Sequence, residues 1–414
     1  MKPNPTLLKT LALFVALPFP SPALRAAPRD FELDAQVLLD REREHSNLPW
    51  FQDWHTNFYL GKALVDDTYV TYYRSKSAAN PKQTILFIHG TPEGPEIWWP
   101  ILVGDADVNK LAKDYDVIAI ELPGHGTSTE IFWHWERDLK DYADLAIHLL
   151  TKLAPDSSWT VVAHSYGGEV AWRMVSKEPA RFHSLALLDS SGFARIRNEG
   201  KPPAEVSESD EDMAGYKAQI GECFADLPLI GPYLIRPALI NPLRKCCYVT
   251  DTAVKTNLVQ GYAQKELVTP ELVGTYKLYL GNTSYPGNTS SFITAIALTR
   301  SEVSRHDLAD VTHQLHKVRD SKLTNGHPTI LVMYGTNDTW YTEKTQGTNF
   351  KSELGLKTVD EFNSDRTGAA GLYVSITNAG HNPQHEQHER VGKLIAILAL
   401  PNSPSSLSQP HLSR

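Results

Sequence analysis

Cysteine is scarce in this chain: three among 414 residues, at Cys223, Cys246 and Cys247. An odd count excludes a scaffold stapled throughout by disulfides. Adjacent cysteines bridge each other only through a strained ring. One bridge from Cys223 to Cys246 or Cys247 and three unpaired thiols both stay open. Membrane-length apolar runs are missing too: the N-terminal run from Leu11 to Phe19 falls well short of the ~20 residues that span a bilayer. No basic stripe interleaved with aromatics appears, and the formal charge is −8, so nucleic acid is not expected as a partner. No glycine-rich phosphate loop follows a strand, and the 16 histidines lack ligand-like spacing, so neither a cofactor nor a metal is expected.

What is present is an ordinary globular composition, 41% hydrophobic and 21% charged, on a chain long enough for a catalytic domain of ~250 residues with an insertion. The N-terminus carries Lys2 and Lys9, then the apolar run, then Ser21-Pro22-Ala23. Basic, apolar and small residues in that order are the layout of a secretory signal over residues 1–27, with a secreted or periplasmic product. Pro18 and Pro20 interrupt the run as a helix, and an uncleaved membrane anchor is the alternative. Residues 28–56 are polar and read as an arm, and 401–414 as a disordered tail. Asn282-Thr283-Ser284 and Asn288-Thr289-Ser290 are glycosylation sequons. Asn337-Asp338-Thr339 is a third in form, in a loop expected to be too buried for modification.

From "FYLGKALVDDTYVTYYR" the pattern is a hairpin turning at Asp66-Asp67. Short apolar runs then recur: "TILFIHG", "DVIAIELPG", "WTVVAHS", "SLALLDSSG", "TILVMYGTND" and "LYVSITNAGH". Amphipathic stretches such as "RDLKDYADLAIHLLTKL" separate them. Continuous apolar strands alternating with such helices predict a mostly parallel sheet covered on both faces. Ligands of open α/β sheets sit at the carboxyl ends of the strands. The alternation stops over 193–326, which reads as a helical cap between core segments 57–192 and 327–400.

One strand runs straight into Ala163-His164-Ser165-Tyr166-Gly167-Gly168. A serine on a sharp strand-to-helix turn needs small neighbours, because the backbone is strained and the helix passes close by. A serine there can also be a plain helix cap. Its hydroxyl becomes reactive only with a base beside it. His381 follows the last strand directly, and Asp338 sits in the loop after the strand before it. A carboxylate there would hold the imidazole in one tautomer. Asp189 is the rival acid, and the expected chain order Ser…Asp…His favours Asp338. An oxyanion needs two donors: the N–H of Tyr166 and, in the loop after "TILFIHG", that of Thr91 or Gly90, since Pro92 has none. Trp98 and Trp99 line an acyl site or pack the next helix.

His89-Gly90, the Pro123-Gly124-His125-Gly126 turn, the Ser165 elbow and the Asp338/His381 pair occur in that order. In this the chain resembles the α/β-hydrolase superfamily over about residues 84–400, in the capped serine branch of esterases and lipases. The resemblance implies an α/β-hydrolase fold and hydrolysis of a carboxylic ester or related acyl bond in a small, lipophilic substrate. Membrane contact through the cap is not implied. A proline-iminopeptidase-like or carbon–carbon bond hydrolase, and a binding protein that kept only the fold, are the alternatives.

Overall fold

The computed structural model of the chain describes residues 54, 56–76, 83–91, 93–103, 111–123, 125–126, 128, 139–192, 250–281, 308–321, 329–365, 367 and 369–399. The signal segment, the three cysteines, the sequons at Asn282 and Asn288 and the tail lie outside these residues.

The hairpin comprises β1 (Phe58–Val65) and β2 (Thr68–Ser75), paired antiparallel from Phe58↔Ser75 to Val65↔Thr68. Asp66 makes the two-residue turn possible by taking a positive φ of 54°. Trp54, assigned from sequence to the arm, is instead core: it stacks on Phe58 at 4.5 Å and meets Tyr73 edge-on at 5.2 Å.

Seven more strands follow: β3 (Thr84–Ile88), β4 (Asp116–Ile120), β5 (Trp159–His164), β6 (Phe182–Leu188), β7 (Ile330–Gly335), β8 (Leu356–Thr358) and β9 (Gly371–Ile376). The sheet order is β1-β2-β4-β3-β5-β6-β7-β9-β8. The β1–β2 and β2–β4 pairings are antiparallel and the others parallel. In β5, Val161 and Ala163 join one buried cluster and Val162 the other. Both faces are therefore core, which is why these strands read as unbroken apolar runs. Each aliphatic side chain so buried contributes roughly 1.5–3 kcal/mol.

Six helices bear on the site: α1 (Leu139–Leu153), α2 (Tyr166–Lys177), α3 (Asp251–Gly261), α4 (Pro270–Gly281), α5 (Leu308–Asp320) and α6 (His388–Ala399). Helices α1, α2 and α5 cover one face of the sheet; α6, with Ile97 to Val103, covers the other. Helices α3 and α4 bring Val254, Leu258, Leu272 and Val273 into that second cluster. They lie against the loops at the strand ends: Gly261 O accepts the His381 N–H at 2.6 Å.

Helix α5 departs from the expected cap, although it falls within 193–326. Its Val311, Leu315 and Val318 are buried in the sheet cluster, and its Gln314 receives the Ser176 hydroxyl of α2. Their i, i+4, i+7 spacing puts one apolar stripe on the sheet side. The chain crosses from β3 outward to β4, then returns to β5 on the other side of β3. That reversal opens the crevice where open α/β sheets take ligands, and the ends of β3 and β5 carry Gly90 and Ser165.

Candidate active site

Ser165 joins β5 to α2 with φ 50° and ψ −123°, a region non-glycine residues seldom occupy. Three backbone hydrogen bonds hold it there. Its N–H donates to Leu188 O at 2.9 Å, and its carbonyl accepts from Gly168 N–H at 2.9 Å and Ser191 N–H at 3.2 Å. The side chain makes no capping bond to the helix, so the plain N-cap reading is excluded. The paired glycines have a steric cause: a methyl on Gly167 would strike the His89 carbonyl oxygen, and one on Gly168 the Ser190 side chain.

The Ser165 hydroxyl points instead at His381, with Oγ 3.0 Å from Nε2. Nδ1 of the same ring lies 2.8 Å from Asp338 Oδ2. A carboxylate only accepts, so the ring proton sits on Nδ1, and Nε2 is bare and faces the hydroxyl. Asp338 is aimed by its own loop: Oδ1 accepts the N–H groups of Trp340 at 2.7 Å and Tyr341 at 3.1 Å. Ser165, His381 and Asp338 are all buried, at 4%, 2% and 5% exposure, which strengthens each charge–dipole contact. Three distant segments thus converge at one sheet edge.

On the other side of the serine, Tyr166 opens α2 as its first residue. Gly90 cannot supply the second donor, because its N–H is spent on Glu93 Oε2 at 2.8 Å. Thr91 is left. His89 fixes that peptide: the Leu122 N–H donates to His89 Nε2 at 3.1 Å, so Nδ1 carries the proton and donates to Gly90 O at 2.6 Å. Pinning the Gly90 carbonyl aims the Thr91 N–H the opposite way, because the peptide is planar and trans. Burial lowers the His89 pKa to about 4, keeping the ring neutral for this task. The Thr91 hydroxyl meets His125 Nε2 at 3.0 Å, and burial likewise depresses His125 well below the usual histidine value.

The two tryptophans pack against other rings. Trp98 is fully buried, edge-on to Phe87 at 5.1 Å and to His164 at 6.4 Å; Trp99 meets His385 edge-on at 5.9 Å. The rings beside the candidate base are Trp340 and Tyr341, at 5.0 and 5.4 Å from His381. The sequence signal for them was their place directly after Asp338. Asn337 is exposed, so burial does not rule out its sequon. Asp189 is not the partner of His381; its Oδ1 accepts the Gly335 N–H at 2.9 Å. Asp189, Asp338 and His381 offer one ligand atom each within 4.8 Å of one another, a grouping of metal-type donors among the described residues. Both His381 nitrogens are already engaged, which is an arrangement for moving a proton. Glu93 and Tyr276 also enter the site, and sequence reasoning passed over both.

Fold and site together define a class, and comparison with known proteins agrees. The model of the alpha/beta hydrolase family matches residues 85–394, and the chain belongs to that family. It is 30% identical over 173 residues to the dihydrolipoyllysine-residue acetyltransferase component of the acetoin cleaving system of Cupriavidus necator, covering 42% of each chain. It is 27% identical over 109 residues to the (E)-2-((N-methylformamido)methylene)succinate hydrolase of Acinetobacter baylyi, covering 26% of this chain and 37% of that one. The chain thus spans less than half the length of these curated relatives. Among solved structures it is similar to a bacterial membrane phospholipase A, with TM-score 0.55 and 18% identity over 95% of this chain and 98% of that one. It is also similar to the Cif epoxide hydrolase of Acinetobacter nosocomialis, with TM-score 0.54 and 17% identity over 92% and 99%. At such identities the structures speak for the fold alone.

Proposed function

We propose that this protein is a serine hydrolase that cleaves a carboxylic ester, or a related acyl bond, of a small lipophilic substrate. The observation that carries the reading is the continuous line from Ser165 Oγ to His381 Nε2 at 3.0 Å and from Nδ1 to Asp338 at 2.8 Å. His381 takes the hydroxyl proton as Oγ attacks the substrate carbonyl carbon. The resulting oxyanion is held by the N–H groups of Tyr166 and Thr91. Collapse of this intermediate breaks the bond to the leaving alcohol, which receives the proton back from His381. Water then repeats the cycle on the acyl-serine and releases the acid. Asp338 steadies the imidazolium without being protonated. Hydrolases among the similar proteins support this reading. The basic and apolar N-terminus supports export, with residues 1–27 removed.

The test is labelling by a fluorophosphonate, together with turnover of p-nitrophenyl butyrate and of a prolyl-nitroanilide. The wild-type protein should label and favour the ester, and Ser165→Ala should abolish both activities. A protein that never labels is a binder on this fold. A strong preference for the anilide would shift the reading to a peptidase. N-terminal sequencing of exported protein tests the signal.

A further inference from the structure

Glu93 lies in the loop after β3 and is 3% exposed, a buried acid with no role in the mechanism above. Donors surround it. Oε2 accepts the Gly90 N–H at 2.8 Å and faces His164 Nδ1 at 2.8 Å, while Oε1 accepts the Tyr276 hydroxyl at 2.9 Å. The other nitrogen of His164, Nε2, faces the backbone carbonyl of His381 at 2.6 Å. A carbonyl oxygen only accepts, so Nε2 carries a hydrogen. An N–H and an O–H already point at the two oxygens of Glu93, which favours its ionised form. Nδ1 of His164 must then carry a hydrogen as well. The hydrogen-bond inventory makes His164 an imidazolium and Glu93 a carboxylate, both shut away from water.

A buried ion pair is weak evidence of stabilisation, since well-packed apolar residues often do as well. This one has a different distinction: it joins three of the segments that build the site. Gly90 belongs to the oxyanion loop. His164 is the residue before Ser165. The carbonyl it holds belongs to His381. Tyr276 comes from α4, and its hydroxyl also lies 3.2 Å from Asn382 Oδ1, next to His381. We propose that the Glu93–His164 pair positions the acyl-transfer machinery, registering the oxyanion loop to the serine elbow and the histidine loop and tying all three to helix α4. It rests on the acyl-transfer reading; Glu93 and His164 are positioning residues that do not touch the reacting atoms.

A glutamine at 93 cannot reproduce this. With its oxygen in place of Oε2, it keeps the Gly90 bond but leaves an imidazolium with no counter-charge. With its nitrogen there, it serves a neutral His164 but opposes the Gly90 N–H. The titrating and charged groups around His164 are Glu93, His89, Asp338, His381 and His385. Burial works against both members of the pair. The charge and hydrogen bond of His164 nevertheless bring Glu93 down to about 2, and those of Glu93 keep His164 above its usual value. The pair is lost in acid as pH falls through about 2, and in base as pH rises through the raised His164 value. Without the carboxylate, burial, the largest influence on His164, is opposed only by the His381 carbonyl and the charge of Asp338, and the value falls.

The experiment is p-nitrophenyl butyrate hydrolysis as a function of pH, paired with NMR of 15N-histidine-labelled protein in the Ser165→Ala background. Glu93→Gln is expected to lower kcat on the order of 10²-fold through misplacement, with KM little changed and the alkaline limb moved to lower pH. Tyr276→Phe leaves the pair charged and is expected to lose roughly tenfold or less, the worth of one hydrogen bond, with the wild-type limb kept. The NMR should show a ring protonated on both nitrogens at neutral pH that disappears in Ser165→Ala/Glu93→Gln. Wild-type kcat and pH profile in folded Glu93→Gln, or the absence of that ring, overturns the proposal. Failure of the wild-type protein to label with fluorophosphonate counts against the acyl-transfer reading instead, and the NMR still decides the pair.

Discussion

Asp338 and Asp189 follow adjacent parallel strands, β7 and β6, and both are buried. By residue type and position they are interchangeable, yet their surroundings separate them. Asp338 meets three N–H donors, from Trp340, Tyr341 and His381. Asp189 meets one N–H, from Gly335; its Oδ2 is buried with no donor against it, and the nearest charge is Asp338 itself. Burial first, and then the negative charge and hydrogen bond of Asp338, push the Asp189 pKa well above the ordinary carboxylate value. Two carboxylates this close do not both ionise. Asp338 has the donors that a carboxylate charge needs, and Asp189 is the acid whose charge its surroundings disfavour. The supply of donors, not the residue type, assigns the roles.

The strongest way to break this comparison is Asp338→Asn. The amide would offer His381 a donor where it needs an acceptor, turning the ring to the wrong tautomer. A loss in kcat on the order of 10⁴-fold is expected, with KM far less affected. If Asp338→Asn keeps near-normal kcat and Asp189→Asn does not, the roles are reversed.

Much of this was legible in the sequence. The strands read correctly because both faces are buried and the runs are unbroken. Ser165 was marked by Gly167, where the His89 carbonyl passes close by, and by Gly168, against the Ser190 side chain. Chain order chose Asp338 over Asp189. Other features depended on distance along the chain. Glu93 finds His164 and Tyr276 at separations of 71 and 183 residues, which no local pattern announces. Trp98 and Trp99 looked like one feature, but neighbours in a helical turn point apart, and Trp98 went into the core. Helix α5 was grouped with the cap because the insertion was read by its lack of strands, although its apolar stripe matched the sheet.

A smaller effect is expected from Asp189→Ala. It strands the Gly335 N–H in a buried place, which costs about 1–3 kcal/mol. It also puts alanine at φ 40°, where aspartate and asparagine are better tolerated. Chemical denaturation should show the loss, while kcat stays within roughly tenfold because Asp338 keeps its three donors. A collapse of kcat with full stability would make Asp189 part of the chemistry.

Asp189→Asn should change least and teach most. Asparagine suits the positive φ, its oxygen can accept the Gly335 N–H, and its amide can donate to Asp338 without needing a proton. Catalysis should therefore be nearly unchanged. Stability should not. The raised Asp189 pKa means that the folded protein holds a proton which the unfolded chain releases above about pH 4. Wild-type stability from this group is thus full at low pH and is lost as pH rises toward the folded-state value. The variant has no such proton to hold. Its melting temperature relative to wild type should climb steadily as pH is raised from acid to alkaline. A difference that is flat with pH would mean that Asp189 is ionised in the fold, and the contrast with Asp338 would fail.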